Sequence, residues 1–347
     1  MNVFPTSFAP PANQPASTST ADVTFVVCVE SGPLETQTVL AVESLRRWGG
    51  RFAGCPVLAI TPRKGFALAK KTRKAFERLN VTWHGFDARH EAPWYGPMNK
   101  PAALAFAEEW ITTGTVAWMD SDVLVVGEPN ALELSGDFQF TAFPGSRVHD
   151  LGTDGDDGHF PFWRESLIHH QIDPVVYPFI PSQPRESGPI KMYWQGGVYA
   201  YRRATALGKA HLHFSRTQLD SRIASRECGA YFTEQVGLAL GVFLKQLRWR
   251  VLPENCNLAM NPLLEEQPSA ETIAQARIIH YFGSLWPDSF PAFVEQIRAA
   301  RPEVAEWLES HGPLHDSRPV HQRVVNRLRR SRFCKDANRY LQSCEVF

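Results

Sequence analysis

The chain predicts an α/β fold, and two observations carry that expectation. From Val23 onward, short β-branched runs alternate with segments of helical spacing. One of those runs, Val116-Ala117-Trp118-Met119, then leads into Asp120-Ser121-Asp122 and a second apolar run, Val123 to Val126. A carboxylate pair at the carboxyl end of a strand stands where ligands of open α/β sheets bind.

Taken in order, residues 1–21 are rich in Pro, Ser, Thr and Ala and lack a basic start and an apolar h-region. They predict a disordered leader and not a signal peptide. Val23 to Val29 suits a buried parallel strand, Leu34 to Trp48 has helical spacing and stops at Gly49-Gly50, and Val57 to Ile60 is the next strand. Gly65 to Leu79 reads as a second helix whose basic run, Lys70, Lys71, Arg73 and Lys74, is a solvated face. Val81 to Phe86 continues the sheet. In the third helix Pro101 occupies a first turn, Leu104, Ala107 and Ile111 form the buried stripe, and Gly114 marks the end.

Composition narrows the class. A chain of 347 residues is long enough for one large α/β domain or two smaller ones. Its formal net charge of zero gives no footprint for nucleic acid. The six cysteines are scattered, with no Cys-x-x-Cys pair, so a reduced cytoplasmic setting is the simplest reading. No apolar stretch approaches the length of a membrane span.

The carboxylate pair is costly at the edge of a core unless a cation neutralises it. In an extended stretch Asp120 and Asp122 project to one side with Ser121 turned away, and their oxygens suit Mg²⁺ or Mn²⁺. A solvated turn is the bland alternative. Between Gly145 and Lys191 the chain is long, Pro-rich and aromatic, and is expected to be a functional or disordered loop; its acidic run, Asp154 to Gly158, lacks the distal Glu of a calcium loop and reads as a solvated turn. Next comes Met192 to Arg202, where Gly196 and Gly197 let a backbone approach a ligand and Gln195 can bond sugar hydroxyls, a β-bulge being the alternative. Glu234 and Gln235 open an apolar helix, Val236 to Leu244, where the acid alone would be an ordinary cap. Leu252 to Asn257 is a turn, and Ala276 to Gly283 is a strand ending in His280, a neutral third ligand for a Mn²⁺ held by two aspartates or else a structural histidine.

The succession strand, carboxylate pair, aromatic-Gly strand, acid-Gln helix, Leu-Pro-x-x-x-Asn and His-x-x-Gly resembles the GT-A glycosyltransferases of family 8, the group of glycogenin and the lipopolysaccharide galactosyltransferases. It covers roughly Val23 to Trp286. The resemblance implies a Rossmann-like nucleotide-diphospho-sugar transferase fold with a mixed central sheet over residues 22–313. It also implies Mn²⁺ (or Mg²⁺) on Asp120, Asp122 and His280, and retention of anomeric configuration. Val29, Glu30, Ser31, Asp120 and Ser121 would face the donor, a UDP-sugar, while Gln195, Gly196, Gly197, Asn257 and Gly283 would bind substrate. Lys100, Glu234 and Gln235 would form the catalytic set, with Gln235 beneath the anomeric carbon and Glu234 the nearest candidate for a covalent nucleophile. The acceptor would be a saccharide or glycolipid.

One departure stands out. The family continues His-x-x-Gly-x-x-Lys-Pro-Trp, whereas here Trp286 occupies the position of the lysine that meets the leaving phosphate. Lys100, or an arginine from the loop or the tail, would have to replace it. Two other ligand-binding readings share the motif: a haloacid dehalogenase-type phosphatase, although about a hundred residues of α/β pattern precede Asp120, and a non-catalytic nucleotide-sugar binder. A purely structural domain is the third alternative. Residues 314–347 form a basic tail in which Val320, Val324, Val325 and Leu328 recur at helical spacing among eight cations from Arg318 to Arg339, against the single acid Asp336. Such a helix either lies on an anionic membrane surface or packs on the domain with a solvated basic face.

Overall fold

The computed structural model describes residues 20–88, 92–264 and 266–347. The leader expected over residues 1–21 lies, up to residue 19, outside them. The first half of the chain alternates as read: β1 (Val23–Cys28), α1 (Pro33–Trp48), β2 (Val57–Thr61), α2 (Lys70–Arg78), β3 (Val81–Gly85), α3 (Asn99–Ala107) and β4 (Thr115–Met119). Then come β5 (Val123–Val125), β6 (Phe140–Pro144), α4 (Phe160–His169), the hairpin β7 (Phe179–Pro181) and β8 (Pro189–Lys191), and β9 (Trp194–Arg202). The rest is α5 (Leu207–Asp220), β10 (Ile223–Ala224), α6 (Thr233–Leu244), β11 (Trp249–Val251), β12 (Leu258–Ala259), α7 (Ala270–Gln275) and β13 (Ile278–His280). After these follow α8 (Phe290–Ala300), α9 (Pro302–His311), α10 (Val320–Leu341) and β14 (Glu345–Val346).

Among the described residues the central sheet has seven strands in the order β11-β6-β9-β4-β1-β2-β3. β1 pairs in parallel with β2 and β4, and β9 enters antiparallel between β4 and β6, so the sheet is mixed as expected. β1 is buried on both faces because alternate residues feed two cores: Val26 joins Trp118 and Tyr199 on one side, and Phe25 and Val27 join Val42 and Phe52 on the other. Glu35 joins the first two helices, accepting from Gly32 N at 3.0 Å on one oxygen and from Ala69 N at 2.7 Å and Thr72 Oγ1 at 2.6 Å on the other. A second sheet, β12-β13-β5, sets His280 opposite Val123 and so beside Asp122.

Three expectations change. The second helix starts at Lys70 instead of Gly65, although its basic face is exposed as read. The third ends at Ala107, well before Gly114. The segment 145–191 is no bare loop: α4 and the β7–β8 hairpin bury Trp163, Tyr177, Ile180 and Ile190 against the core. Its aromatic residues carry no helical or strand period, so their burial was not visible. In the acidic run, Arg147 pairs with Asp154 at 2.6 Å and Asp157 accepts from Thr153 Oγ1 at 2.7 Å and His159 N at 3.0 Å, a turn into α4.

The tail helix attaches at points along its length. Tyr340 packs on Trp94 and donates to Leu219 O at 2.6 Å, β14 pairs with β10, and the Arg329 guanidinium lies over the Phe66 ring. The stripe of Val320, Val324 and Leu328 faces solvent, 65%, 52% and 67% exposed. Among the described residues no helix is long and apolar enough to cross a membrane.

Candidate active site

The strands β4 and β5 belong to different sheets, and Asp120-Ser121-Asp122 is the turn between them. Ser121 is buried, and its hydroxyl donates to Cys28 O at 2.7 Å, which ties the turn to the end of β1. The two aspartates are thereby left at a cavity of about 940 Å³. Asp120 N donates to Gly197 O at 2.8 Å and Trp118 Nε1 donates to Asp120 Oδ1 at 2.8 Å. His280 Nε2 lies 3.2 Å from Asp122 Oδ1.

Ligand atoms of Asp120, Asp122 and His280 all lie within 4.8 Å of one another. That is close to the spread of ligands around one octahedral ion, roughly 4 Å across. Two hard carboxylates with one imidazole fit Mn²⁺ or Mg²⁺. Burial and the neighbouring Asp122 raise the Asp120 carboxyl above its ordinary range against the pull of Lys100. Burial also works to raise Asp122, yet His280 outweighs it and holds that carboxyl low. For His280 burial favours the neutral ring, but Asp122 and Asp120 prevail and raise its pKa. Each of Asp122 and His280 thus favours the charged form of the other.

A second constellation lies across β9. Lys100 Nζ donates to Gly196 O at 2.7 Å and meets Glu234 Oε1 at 3.1 Å and Asp120 Oδ1 at 3.2 Å. Burial would lower its pKa, but the two carboxylates raise it. Glu234 is 3% exposed, and burial alone would raise it; Lys100 and His211 hold it low, hence ionised. His211 Nε2 faces both the backbone oxygen of Glu234 at 2.8 Å and Oε2 at 3.2 Å, so Nε2 carries the proton and Nδ1 accepts from Tyr199. Gln235 Oε1 accepts from Tyr193 OH at 2.8 Å.

The glycine pair explains itself on opposite faces of β9. A Cβ on residue 196 would stand 2.7 Å from Lys100 Nζ and 2.9 Å from Glu234 Oε1, while one on residue 197 would stand 2.5 Å from His280 Cε1. Gln195 lines the cavity, and its Oε1 accepts from Asn257 Nδ2 at 2.9 Å. Asn257 Oδ1 lies 3.3 Å from His280 Nδ1.

Other expected residues stand apart. Val29 is core, Glu30 is clamped by Arg63 at 2.5 and 2.8 Å and by Asn99 at 3.0 Å, and Ser31 lies in the turn before α1. None of these three lines the cavity, where Cys28, Gln37 and Asn99 stand instead. Gly283 lies in the turn after β13, outside the lining, as does Trp286. Lys100 is committed to two carboxylates, and Arg318 pairs with Asp316 beside Gly32. Arg185, on the β7–β8 loop, lines the cavity and has no acidic partner among the described residues. Asp150, missed in the sequence, is a buried wall residue whose Oδ1 accepts from Ser146 N at 2.6 Å. Burial, with Glu186 nearby, pushes its carboxyl up to about 7.

A mixed sheet with a candidate cation site at the end of a central strand, beside a cavity, is the arrangement of a ligand-binding α/β domain. The chain belongs to the family described as the Rhodobacterales glycosyltransferase domain, which matches residues 25–244. Its fold is similar to that of a solved structure, the WbbM bifunctional glycosyltransferase in its apo form, with a TM-score of 0.50 at 14% identity. The match covers 87% of this chain and 53% of that one, so the chain spans about half the length of that protein. No curated protein matches the chain in sequence.

Proposed function

We propose that the chain is a metal-dependent GT-A hexosyltransferase of the family 8 type, moving a sugar from a nucleotide-diphosphate donor, a UDP-sugar, to a hydroxyl of a saccharide or glycolipid, with retention. The observation that carries this reading is the convergence of Asp120, Asp122 and His280 on one cavity with the Lys100–Glu234 pair. Those three ligands would hold Mn²⁺ or Mg²⁺. The ion, when bound, supplies Lewis-acid stabilisation of the departing diphosphate. Glu234, kept ionised by Lys100 and His211, offers a carboxylate to an electron-poor anomeric carbon. Gln235, oriented by Tyr193, lies beside it in the chain and on the same cavity. Arg185, without an acidic partner among the described residues, is placed on the cavity to meet a donor or acceptor anion. The exposed Val320, Val324 and Leu328 among arginines support a cytoplasmic enzyme that rests on an anionic membrane.

The test is a thermal-shift screen of nucleotide sugars with and without Mn²⁺, followed by assay of nucleotide release. A metal-dependent rise in melting temperature with one donor, and turnover with an acceptor, is expected. No shift with any nucleotide sugar would overturn the reading. Trp286 in place of the phosphate lysine favours one alternative, a binder without turnover: titration calorimetry would then show donor binding with neither hydrolysis nor transfer.

A further inference from the structure

Two runs of positive charge that are far apart in the chain meet in the fold. α2 carries five cations against Glu77, and α10 carries seven against Asp336, in a chain whose formal net charge is zero. The two helices are joined near their starts. Lys71 Nζ donates to Ser317 Oγ at 3.3 Å, the Phe66 ring meets His321 edge-on, and the Arg329 guanidinium lies 5.4 Å from the centre of that same ring. His321 and Arg329 share one face of α10, which is thus turned to the domain, while Val320, Val324 and Leu328 on the adjoining face stay exposed. Three of the cations are neutralised locally: Arg78 by Glu43, and Arg332 and Arg339 by Asp336. The four that open α2, and the four from Arg323 to Arg330, are exposed and pair with no acid among the described residues.

Unpaired cations beside exposed aliphatic side chains call for a partner with phosphates at its surface and an apolar layer behind them. A bilayer of anionic lipid has both, and nucleic acid has only the first. The tail also reaches the cavity at two points. Arg318, just ahead of α10, lies against Gly32, and Leu34 two residues on lines the cavity; at the far end Leu341 lies against Gly229, and Tyr231 two residues on lines it as well. Leu34 and Tyr231 are 38% and 67% exposed, so they stand at the mouth. We propose that α2 and α10 form one docking surface for an anionic lipid bilayer, which brings that bilayer beside the mouth of the cavity. The inference rests on the membrane reading of the tail and adds α2 to it.

The test is sedimentation of the full chain at low salt with vesicles of phosphatidylglycerol and phosphatidylcholine in equal parts, and with phosphatidylcholine alone. Wild type should sediment with the first and not with the second. Lys70→Gln, Arg73→Gln and Lys74→Gln together, which spare the Lys71 contact to Ser317, should weaken binding about fivefold for each charge removed, or roughly a hundredfold in all. The melting temperature of this variant should match wild type. A measurement on wild type serves if the variant does not fold: the anionic vesicles should shield Lys70 and Lys74 from acylation by a soluble succinimidyl ester. A triple variant that sediments as wild type does, or lysines that acylate as fast in the bound chain as in the free one, would overturn the joint surface and leave the tail as a membrane helix on its own. A wild type that sediments with neither vesicle would overturn the membrane reading together with this inference, and its retention on RNA at the same salt would give the surface to nucleic acid.

Discussion

Replacing Asp150 by asparagine should stabilise the protein at pH 8 relative to pH 5. The carboxyl is buried, with Glu186 near it, and its pKa is pushed up to about 7 from an ordinary value of 3.8. The folded state therefore binds a proton that the unfolded chain has released, across the window from about 4 to 7. With the unfolded state binding fewer protons, stability falls as pH rises through that window and is level outside it. Between pH 5 and pH 8 the folded form should lose roughly two units of this preference, or about 3 kcal/mol at 1.36 kcal/mol per unit. Asparagine keeps the shape and one oxygen for Ser146 N but has no charge to desolvate. The difference in melting temperature, variant minus wild type, should thus grow by roughly 5 °C from pH 5 to pH 8. A difference that is the same at both pH values would show that Asp150 is ionised at no cost in the fold.

Asp122→Ala should abolish Mn²⁺ uptake and transfer while the chain still folds without metal; full activity in EDTA would refute the assignment. Lys100→Met should leave Asp120 and Glu234 facing one another without their cation and cost about 3–5 kcal/mol in denaturant unfolding. An unchanged midpoint would mean that the lysine is not what holds them. Changing Val320, Val324 and Leu328 together to serine should weaken sedimentation with anionic liposomes at low salt without altering turnover on a soluble acceptor. Binding unaffected by the change would remove the membrane role.

Much of this architecture was legible in the sequence because it is local. The β-branched runs of β1 and β2, the carboxylates after β4, the glycine pair of β9 and the histidine at the end of β13 each announce themselves within a few residues. Partnerships at long range were not legible. Glu30, expected at the donor, is taken by Arg63 and Asn99, and nothing near Glu30 in the chain signals either. Lys100 and Glu234 meet from 134 positions apart, and the aromatic residues of 145–191 reveal their burial only once α4 and its hairpin lie on the sheet. Asp150 was hidden in the same segment for the same reason.

The placement of β9 bears on how the molecule folds. It follows both β4 and β6 in the chain yet sits between them, so each of those strands keeps a bare edge until it arrives. Such non-local pairing is slow, and open edges are prone to aggregation. β9 also carries the two glycines that make room for Lys100 and His280. The middle of the sheet and the packing around the candidate cation site thus both depend on the insertion of this one strand. A substitution that hinders that insertion should yield insoluble chains and not a soluble protein lacking only its metal.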